Sequence, residues 1–301
     1  MAEERATGQD PVVAVVCTRD RPELLEGALS ALGRAARGCD QVVVVDSASV
    51  GAGTAEVARD AGFEVLRVQA PGVSRARNRG VAASSAQIVA FTDDDCRVAA
   101  DWFSRMGAAF VDPTVGFVTG QVVADRQTKL TLSVTGDDGR RRFESVDDPY
   151  DFGHGANMAW RRAALCDIGG FDERMGPGGP LRAAEDKDAF WRATRAGWVG
   201  VHEPDLLVTH LQWRSTAGSL RAVFGYGIGV GALATKAIRM RAPGGWRLLG
   251  RGLWDHGLRG SIKNLTSGYE SGAIAALGGA AGVALGAARA SRIPLTDGRF
   301  R

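Results

Sequence analysis

The 301-residue chain is 45% hydrophobic and 24% charged, which suits one large α/β domain, or a domain with an appendage, around a sizeable core. Its four cysteines, Cys17, Cys39, Cys96 and Cys166, lie far apart with no CxxC pair; they read as buried, reduced thiols in a cytosolic compartment and not as a disulfide scaffold. The net charge of +3 conceals an asymmetry: residues 211–301 hold 13 Lys/Arg against 3 Asp/Glu, while residues 1–210 hold 24 against 31.

The first ten residues, "MAEERATGQD", are polar and read as a loose N-terminus rather than a secretory signal. "PVVAVVC" (11–17) and "QVVVVDS" (41–47) are short β-branched runs, expected to be buried parallel strands. Between them, "RPELLEGALSALGRAAR" carries Leu and Ala at helical spacing, with Pro22 at its start, where a missing N–H costs nothing. "FEVLRV" and "QIVAFTD" repeat the strand pattern, with "TAEVARDAG" and "SRARNRGVAASS" as intervening helices. This alternation predicts an α/β fold: a doubly wound, mostly parallel sheet flanked by helices, binding its ligand beyond the carboxyl ends of the strands. Polar residues gather at those ends: Thr18, Arg19 and Asp20 after the first strand, Asp46 ending the second, and Asp93, Asp94 and Asp95 ending the fourth.

Further on, "GFVTGQVVAD" reads as a strand and 125–150 as a polar connection. "NMAWRRAALCDIGG" reads as a helix stopped by Gly169 and Gly170, and "GPGGPLRAAED" as a loop leading into a helix, "EDKDAFWRATRAG". From 211 the chain is Ala/Gly/Arg-rich and expected to be helical. The division is therefore a flexible N-terminus (1–10), an α/β domain (11–210) and a basic C-terminal extension (211–301).

Three adjacent carboxylates repel one another, the more so when withdrawn from water. A solvated turn tolerates them, but a hard cation makes better use of their oxygens. "VVCTRDRP", "VVVVDSAS", "GVSRARNRG", "FTDDDC", "GHGANMAWRR", "GGFDE" and "AEDKDAFWRATRAGW" occur in this order. Together they resemble the family 2 glycosyltransferases of the GT-A fold over roughly residues 11–213.

The resemblance implies a role for each motif. Asp20 and Asp46 hold the nucleotide base, with Thr18 and Arg19 beside them; from the residues alone, Asp20 equally well caps a helix and Asp46 ends a strand. Arg77 and Asn78 match the family's ARN element, at a helix start that favours phosphate or ribose oxygens. Asp93 faces the ribose and Asp95 binds Mg²⁺ or Mn²⁺ on the donor diphosphate, with His210 a further ligand. Asp94 counts with the nucleotide-binding residues, although it is as readily solvated or an orienter of these ligands. His154, Gly155, Asn157, Met158 and Trp213 lie by the donor sugar or acceptor. Asp186 is the general base, with Glu185 contacting the acceptor or orienting the site, although a helix N-terminus alone is reason enough for two acids. The glycines of "GPGGPLRA" suit a mobile loop that orders over bound donor.

The implied activity is inverting transfer of a sugar from a nucleotide-diphosphate sugar, UDP by default, to a hydroxyl of a glycan, a lipid-linked or a small-molecule acceptor. Two alternatives remain. A sugar-phosphate nucleotidyltransferase would carry an early Gly-rich triphosphate loop, which "CTRDRP" is not. A non-catalytic nucleotide-sugar-binding protein would lose the base or the metal ligand. "GIGVGA" (227–232) fits a dinucleotide fingerprint but follows a helical segment and lacks an acid about twenty residues on. In "SGAIAALGGAAGVALGAARA" (271–290), five of twenty residues are glycine, so a packed helix or interfacial attachment is expected rather than a span. The arginines of the extension then face anionic headgroups, giving a cytoplasmic protein peripheral on the inner face of the membrane. No binding motif for nucleic acid accompanies the charge. His202 and His256 carry no expectation.

Overall fold

The computed structural model describes residues 11–128, 130–135, 139–145, 148–255 and 270–301. His256 and the connection around it lie outside the described residues. In chain order the first half runs β1 (Val12–Thr18), α1 (Pro22–Ala35), β2 (Gln41–Ser47), α2 (Gly53–Asp60), β3 (Glu64–Val68), α3 (Val73–Ala83) and β4 (Ile88–Asp93). The succession continues with β5 (Cys96–Val98), α4 (Trp102–Ala108), β6 (Val115–Ala124), β7 (Arg141–Phe143), β8 (Asn157–Arg161), α5 (Arg162–Asp167), α6 (Glu185–Arg195) and β9 (Val199–His210). Helices α7 (Thr216–Arg239), α8 (Gly245–Leu253) and α9 (Glu270–Arg292) follow, then a small hairpin, β10 (Leu295–Thr296) and β11 (Arg299–Phe300).

The main sheet has the order β3-β2-β1-β4-β8-β6-β9-β5, with β7 also on β9. Strands β3, β2, β1 and β4 are parallel, as the alternating pattern predicts. Beyond β4 the sheet is mixed: β8 is antiparallel to both β4 and β6, β6 is parallel to β9, and β5 and β7 are antiparallel to β9.

Every residue of β1 is buried, because successive side chains enter opposite cores. Val12, Ala14 and Val16 pack with Leu25, Leu29 and Leu32 of α1, and Val13 and Val15 pack with Ala76 of α3 and Phe190 of α6. At Gly80 of α3 a Cβ would overlap Val15, so this glycine sets how closely α3 lies on the sheet.

One expected helix is divided. "NMAWR" is the strand β8, and only "RAALCD" is helical. Met158 and Trp160 enter one core while Ala159 enters the other, and Trp160 stacks on Phe190 with ring centroids 5.4 Å apart. A short apolar run admits either state, and the open position between β4 and β6 decides it. The polar connection 125–150 also carries β7 and a single 3₁₀ turn at Pro149–Asp151.

The C-terminal helices are built onto the α/β domain. Residues 224–231 of α7 meet residues 279–287 of α9 in rising order, so the two run side by side in the same direction. Backbone meets backbone at that seam: a Cβ on Gly227 would overlap the carbonyl oxygen of Gly279, and one on Gly231 that of Val283. Lys236, fully buried, donates to Asp172 Oδ2 and Asp188 Oδ1, each at 2.6 Å. The Phe300 N–H adds a bond of 2.8 Å to Asp172 Oδ2, which ties the terminal hairpin to the same point.

Candidate active site

A cleft of about 480 Å³ opens beyond the carboxyl ends of β1, β2 and β4. Thr18, Arg19, Arg77, Asp93, Asp95 and His210 line it, with His154, Gly155, Glu185 and Asp186. Residues far apart in the chain therefore share one wall.

The three consecutive aspartates diverge. Asp93 points into the cleft and lies 3.5 Å from Arg77. Asp94 is completely buried beneath the cleft, where Arg21 meets it at 3.0 Å; it is neither solvated nor placed to touch a nucleotide. Burial pushes its carboxyl up to about 7 against the pull of Arg21. Asp95 lines the cleft and receives Trp213 Nε1–H at 2.8 Å, with Arg21 at 3.4 Å and Arg214 at 3.7 Å. Burial works against its charge, but His210 and these arginines outweigh it and hold the carboxyl below its ordinary range. Arginines thus relieve the repulsion that the sequence poses, without a metal being required for it.

Among the described residues no three His, Cys, Asp or Glu side chains form a ready-made metal cage. Asp95 and His210 nevertheless suit two adjacent positions of one cation. Asp95 Oδ1 and His210 Nε2 are 3.5 Å apart, near the roughly 3 Å edge of an octahedral oxygen and nitrogen shell. The remaining positions fall to the open cleft. His210 Nδ1 lies 2.9 Å from Gln212 Nε2. The Gln212 amide is fixed in that sense by Leu132, whose N–H donates to Oε1 at 3.1 Å and whose carbonyl accepts from Nε2 at 3.0 Å. Nδ1 is therefore an acceptor and the proton sits on Nε2, facing Asp95. Binding a cation through Nε2 requires the Gln212 amide to turn.

Glu185 and Asp186 open α6, where the helix N-terminus favours negative charge. Glu185 takes Arg77 Nη1–H at 2.8 Å, yet burial prevails and its carboxyl rises to about 7. Asp186 Oδ2 accepts the Gly155 N–H at 2.8 Å and Oδ1 accepts the Lys187 N–H at 2.7 Å. Burial opposes its charge too, but Lys187, His154 and Arg77 together hold it below the usual carboxylate range. Burial lowers the His154 imidazole, against the pull of Asp186. The site therefore offers one carboxylate that stays ionised beside one that titrates near neutrality.

Other expected residues sit elsewhere. Asp20 is partly exposed and accepts the Val50 N–H at 2.7 Å, joining two loops and capping no helix. Asp46 is buried, accepts the Ser49 N–H at 2.8 Å and pairs with Arg67; its neighbour Ser47 is the one that lines the cleft. Asn78 grips the Phe171 backbone in both directions at 2.9 Å, turned away from the cleft. Asn157 is wholly buried, accepting from Trp102 Nε1 and donating to the carbonyls of Gln121 and Leu206. Met158 is core. Trp213 acts through Asp95. At the start of α3 the Gly72 and Val73 N–H groups are taken by Ser47 Oγ and the Pro177 carbonyl, so they are not free for phosphate.

The "GPGGPLRA" loop is bonded to itself, through Gly176 N–H to the Ala183 carbonyl and Leu181 N–H to that of Arg174. His202, without an expectation, is buried beside Thr119 Oγ1. Cys17 lines the cleft, its thiol pushed up to about 12 by burial, and Cys96 is buried, whereas Cys39 and Cys166 are exposed.

Several lining residues lacked a signal in the sequence, four of them placed to matter for the site. Arg21 and Arg214 face the acidic motif, and Tyr226 and Val230 of α7 form a further wall. Tyr226 is tied to Ser133 Oγ at 3.2 Å, and Tyr150 donates to the Val230 carbonyl at 3.3 Å. The C-terminal extension is thus part of the cleft. An arginine in a short motif beside carboxylates was the only available hint for any of them.

Residues 13–169, just over half of the chain, match the family described as Glycosyl transferase family 2. The chain belongs to glycosyl transferase family 2. This glycosyltransferase is 31% identical over 188 residues to the pre-mycofactocin glycosyltransferase of Mycobacterium tuberculosis, an alignment covering 56% of the chain and 37% of the relative. It is 38% identical over 117 residues to the uncharacterized protein y4gI of Sinorhizobium fredii, covering 36% of the chain and 13% of that protein. The glycosyltransferase therefore spans little more than a third of the first relative's length. Its fold is similar to that of the mannosyltransferase PcManGT from Pyrobaculum calidifontis, solved with GDP-Man and Mn²⁺: the TM-score is 0.62 at 19% identity, over 95% of this chain and 88% of that one.

Proposed function

We propose that this glycosyltransferase moves a sugar, with inversion, from a nucleoside-diphosphate sugar to an acceptor hydroxyl, using Asp186 as general base. The observation that carries the reading is the convergence of Asp93, Asp95, Arg77, Glu185, Asp186 and His210 on one cleft. Asp186 remains ionised and is held by two backbone N–H groups, so a lone pair is presented in a fixed direction. It takes the acceptor proton as the hydroxyl oxygen attacks the anomeric carbon from the face opposite the diphosphate. The bond from that carbon to the diphosphate oxygen breaks, and the leaving electrons go to the phosphate. Arg19, Arg21, Arg214 and Lys187, at or beside the cleft, neutralise the departing charge.

Asp95 and His210 would hold a divalent cation, Mg²⁺ or Mn²⁺, whose chemistry there is Lewis-acid stabilisation of the diphosphate. The Mn²⁺ and GDP-Man in the structural neighbour support both the cation and the donor class. UDP-sugars are the default donors and GDP-mannose is their direct competitor.

A panel of UDP- and GDP-sugars, screened by thermal shift with Mn²⁺ and with EDTA, tests the proposal. A donor-specific shift that needs the cation, followed by cation-dependent donor turnover, is expected. A shift with nucleoside triphosphate and sugar phosphate instead would return the nucleotidyltransferase. Donor binding without turnover under any condition would leave a binding protein.

A further inference from the structure

Two helices, Thr216–Arg239 and Gly272–Arg292, are long and apolar enough to cross a membrane. Neither is free to do so. Lys236 pins α7 to Asp172 and Asp188 inside the α/β domain, and Tyr226 and Val230 of the same helix line the cleft. Helix α9 is seated on α7 by the glycine seam, with Gly282 and Gly286 against the carbonyls of Phe224 and Ile228. Drawing either helix through a bilayer would separate it from these partners, and moving α7 would leave buried Asp172 without its lysine and Asp188 with Arg192 alone.

The outer side of this assembly has the opposite character. Among the described residues nine large apolar side chains are exposed, and five of them are here: Trp246, Leu253 and Trp254 at α8, Ile274 and Leu277 on α9. On α8 they fall at positions 246, 253 and 254, two turns apart on one face, with Arg247 exposed beside them. On α9, Ile274, Leu277, Ala281, Ala284 and Ala288 are all exposed at helical spacing, an apolar face about 20 Å long. Helices normally turn their apolar residues inward, so both faces here ask for a cover.

Charge selects the cover. Residues 211–255 contain one acid, Asp255, and Arg251 engages it at 3.2 Å. Arg247 on α8, Arg241 in the turn before it and Arg221 on α7 remain exposed. Paired tryptophans with exposed arginines in excess over the acids Asp255 and Glu270 fit the interface of an anionic bilayer, where amphipathic rings sit at headgroup level.

We infer that the outer faces of α8 and α9 dock this protein on an anionic membrane surface, peripherally and without spanning. Because α7 carries both the cleft wall and the seat of α9, docking would hold the cleft about one helix layer, on the order of 10 Å, from that face. The inference does not depend on which donor or acceptor the cleft takes.

Flotation of the full chain with phosphatidylcholine vesicles, with and without phosphatidylglycerol, tests it. Flotation with the anionic vesicles alone, reversed by high salt, is expected. The exposed-site variants Ile274→Ser with Leu277→Ser, and separately Trp246→Ser, should lower vesicle affinity at least tenfold while keeping the native melting temperature. Three outcomes would overturn the inference: no flotation at low salt, membrane association that yields only to detergent, or a dimer in solution that the same substitutions dissociate and that shows no flotation.

Discussion

Two acidic clusters in this molecule hold like charges together and are neutralised in opposite ways. Asp172 and Asp188 share Lys236, all three side chains fully buried, with both contacts at 2.6 Å and Arg192 closing on Asp188 at 2.9 Å. Asp93, Asp94 and Asp95 meet their arginines at 3.0 to 3.7 Å, and Arg21 and Arg214 are each about a quarter exposed. The first cluster is saturated and has nothing left to offer a ligand. In the second the contacts are long and the cations stand at the cleft, so they can turn to an incoming anion. Chemistry of the same kind becomes architecture in one place and a site in the other, through closure of the contacts.

The sharpest test of the open cluster is Asp186→Asn, expected to lower transfer by about 10²–10⁴-fold and to leave donor affinity unchanged. Single-turnover transfer and donor calorimetry measure the two separately; near-native transfer would move the base to Glu185. The closed cluster is broken by Lys236→Met, which strands Asp172 and leaves Asp188 with Arg192 alone, and should cost about 3–5 kcal/mol of stability. Urea denaturation reads the change, and an unaltered midpoint would mean that the lysine is dispensable. Asp95→Asn should erase the difference between donor affinity in Mn²⁺ and in EDTA; a difference that persists would displace the cation from Asp95.

A finer effect concerns the imidazole. Gln212→Glu supplies an acceptor for Nδ1–H and frees Nε2, so Mn²⁺ affinity without donor should rise by about tenfold. Unchanged affinity in calorimetry would remove His210 from the ligand set. The smallest effect is a limb of the pH profile. Asp186 is held below its ordinary range, so kcat/KM should stay level as pH falls from about 8 to about 6. Were Glu185 the base, with its carboxyl near 7, the rate would drop roughly tenfold per pH unit below that point.

The parallel half of the sheet was legible because "VVAVVC", "VVVVDS" and "IVAFTD" are β-branched runs of strand length, and their polar ends mark the cleft. Strand β8 was not, since three apolar residues, Met158 to Trp160, before a helical run are too few to carry a period of their own. Among the site residues, motif position told where a residue falls but not what it faces. Asn78 and Asn157 stand within motifs, yet their amides are spent on the backbones of Phe171, Gln121 and Leu206. Tyr226 and Val230 were out of reach for another reason. A helix residue facing a cleft has the same composition and spacing as one facing a core, and only the docking of α7 distinguishes them.

That docking makes the cleft adjustable from behind. Gly227 and Gly231, which let α9 lie against α7, are the immediate neighbours of Tyr226 and Val230 in sequence. A methyl group added at either glycine has no room on the seam side, so α7 and α9 must shift apart and the wall that α7 gives the cleft shifts with them. The width of the cleft is then governed by two sets of positions, one that lines it and one that never faces it. Drift among the small residues of the seam could reshape substrate range while every residue in the cleft stays the same, and an engineer seeking a wider or narrower acceptor has a handle outside the chemistry.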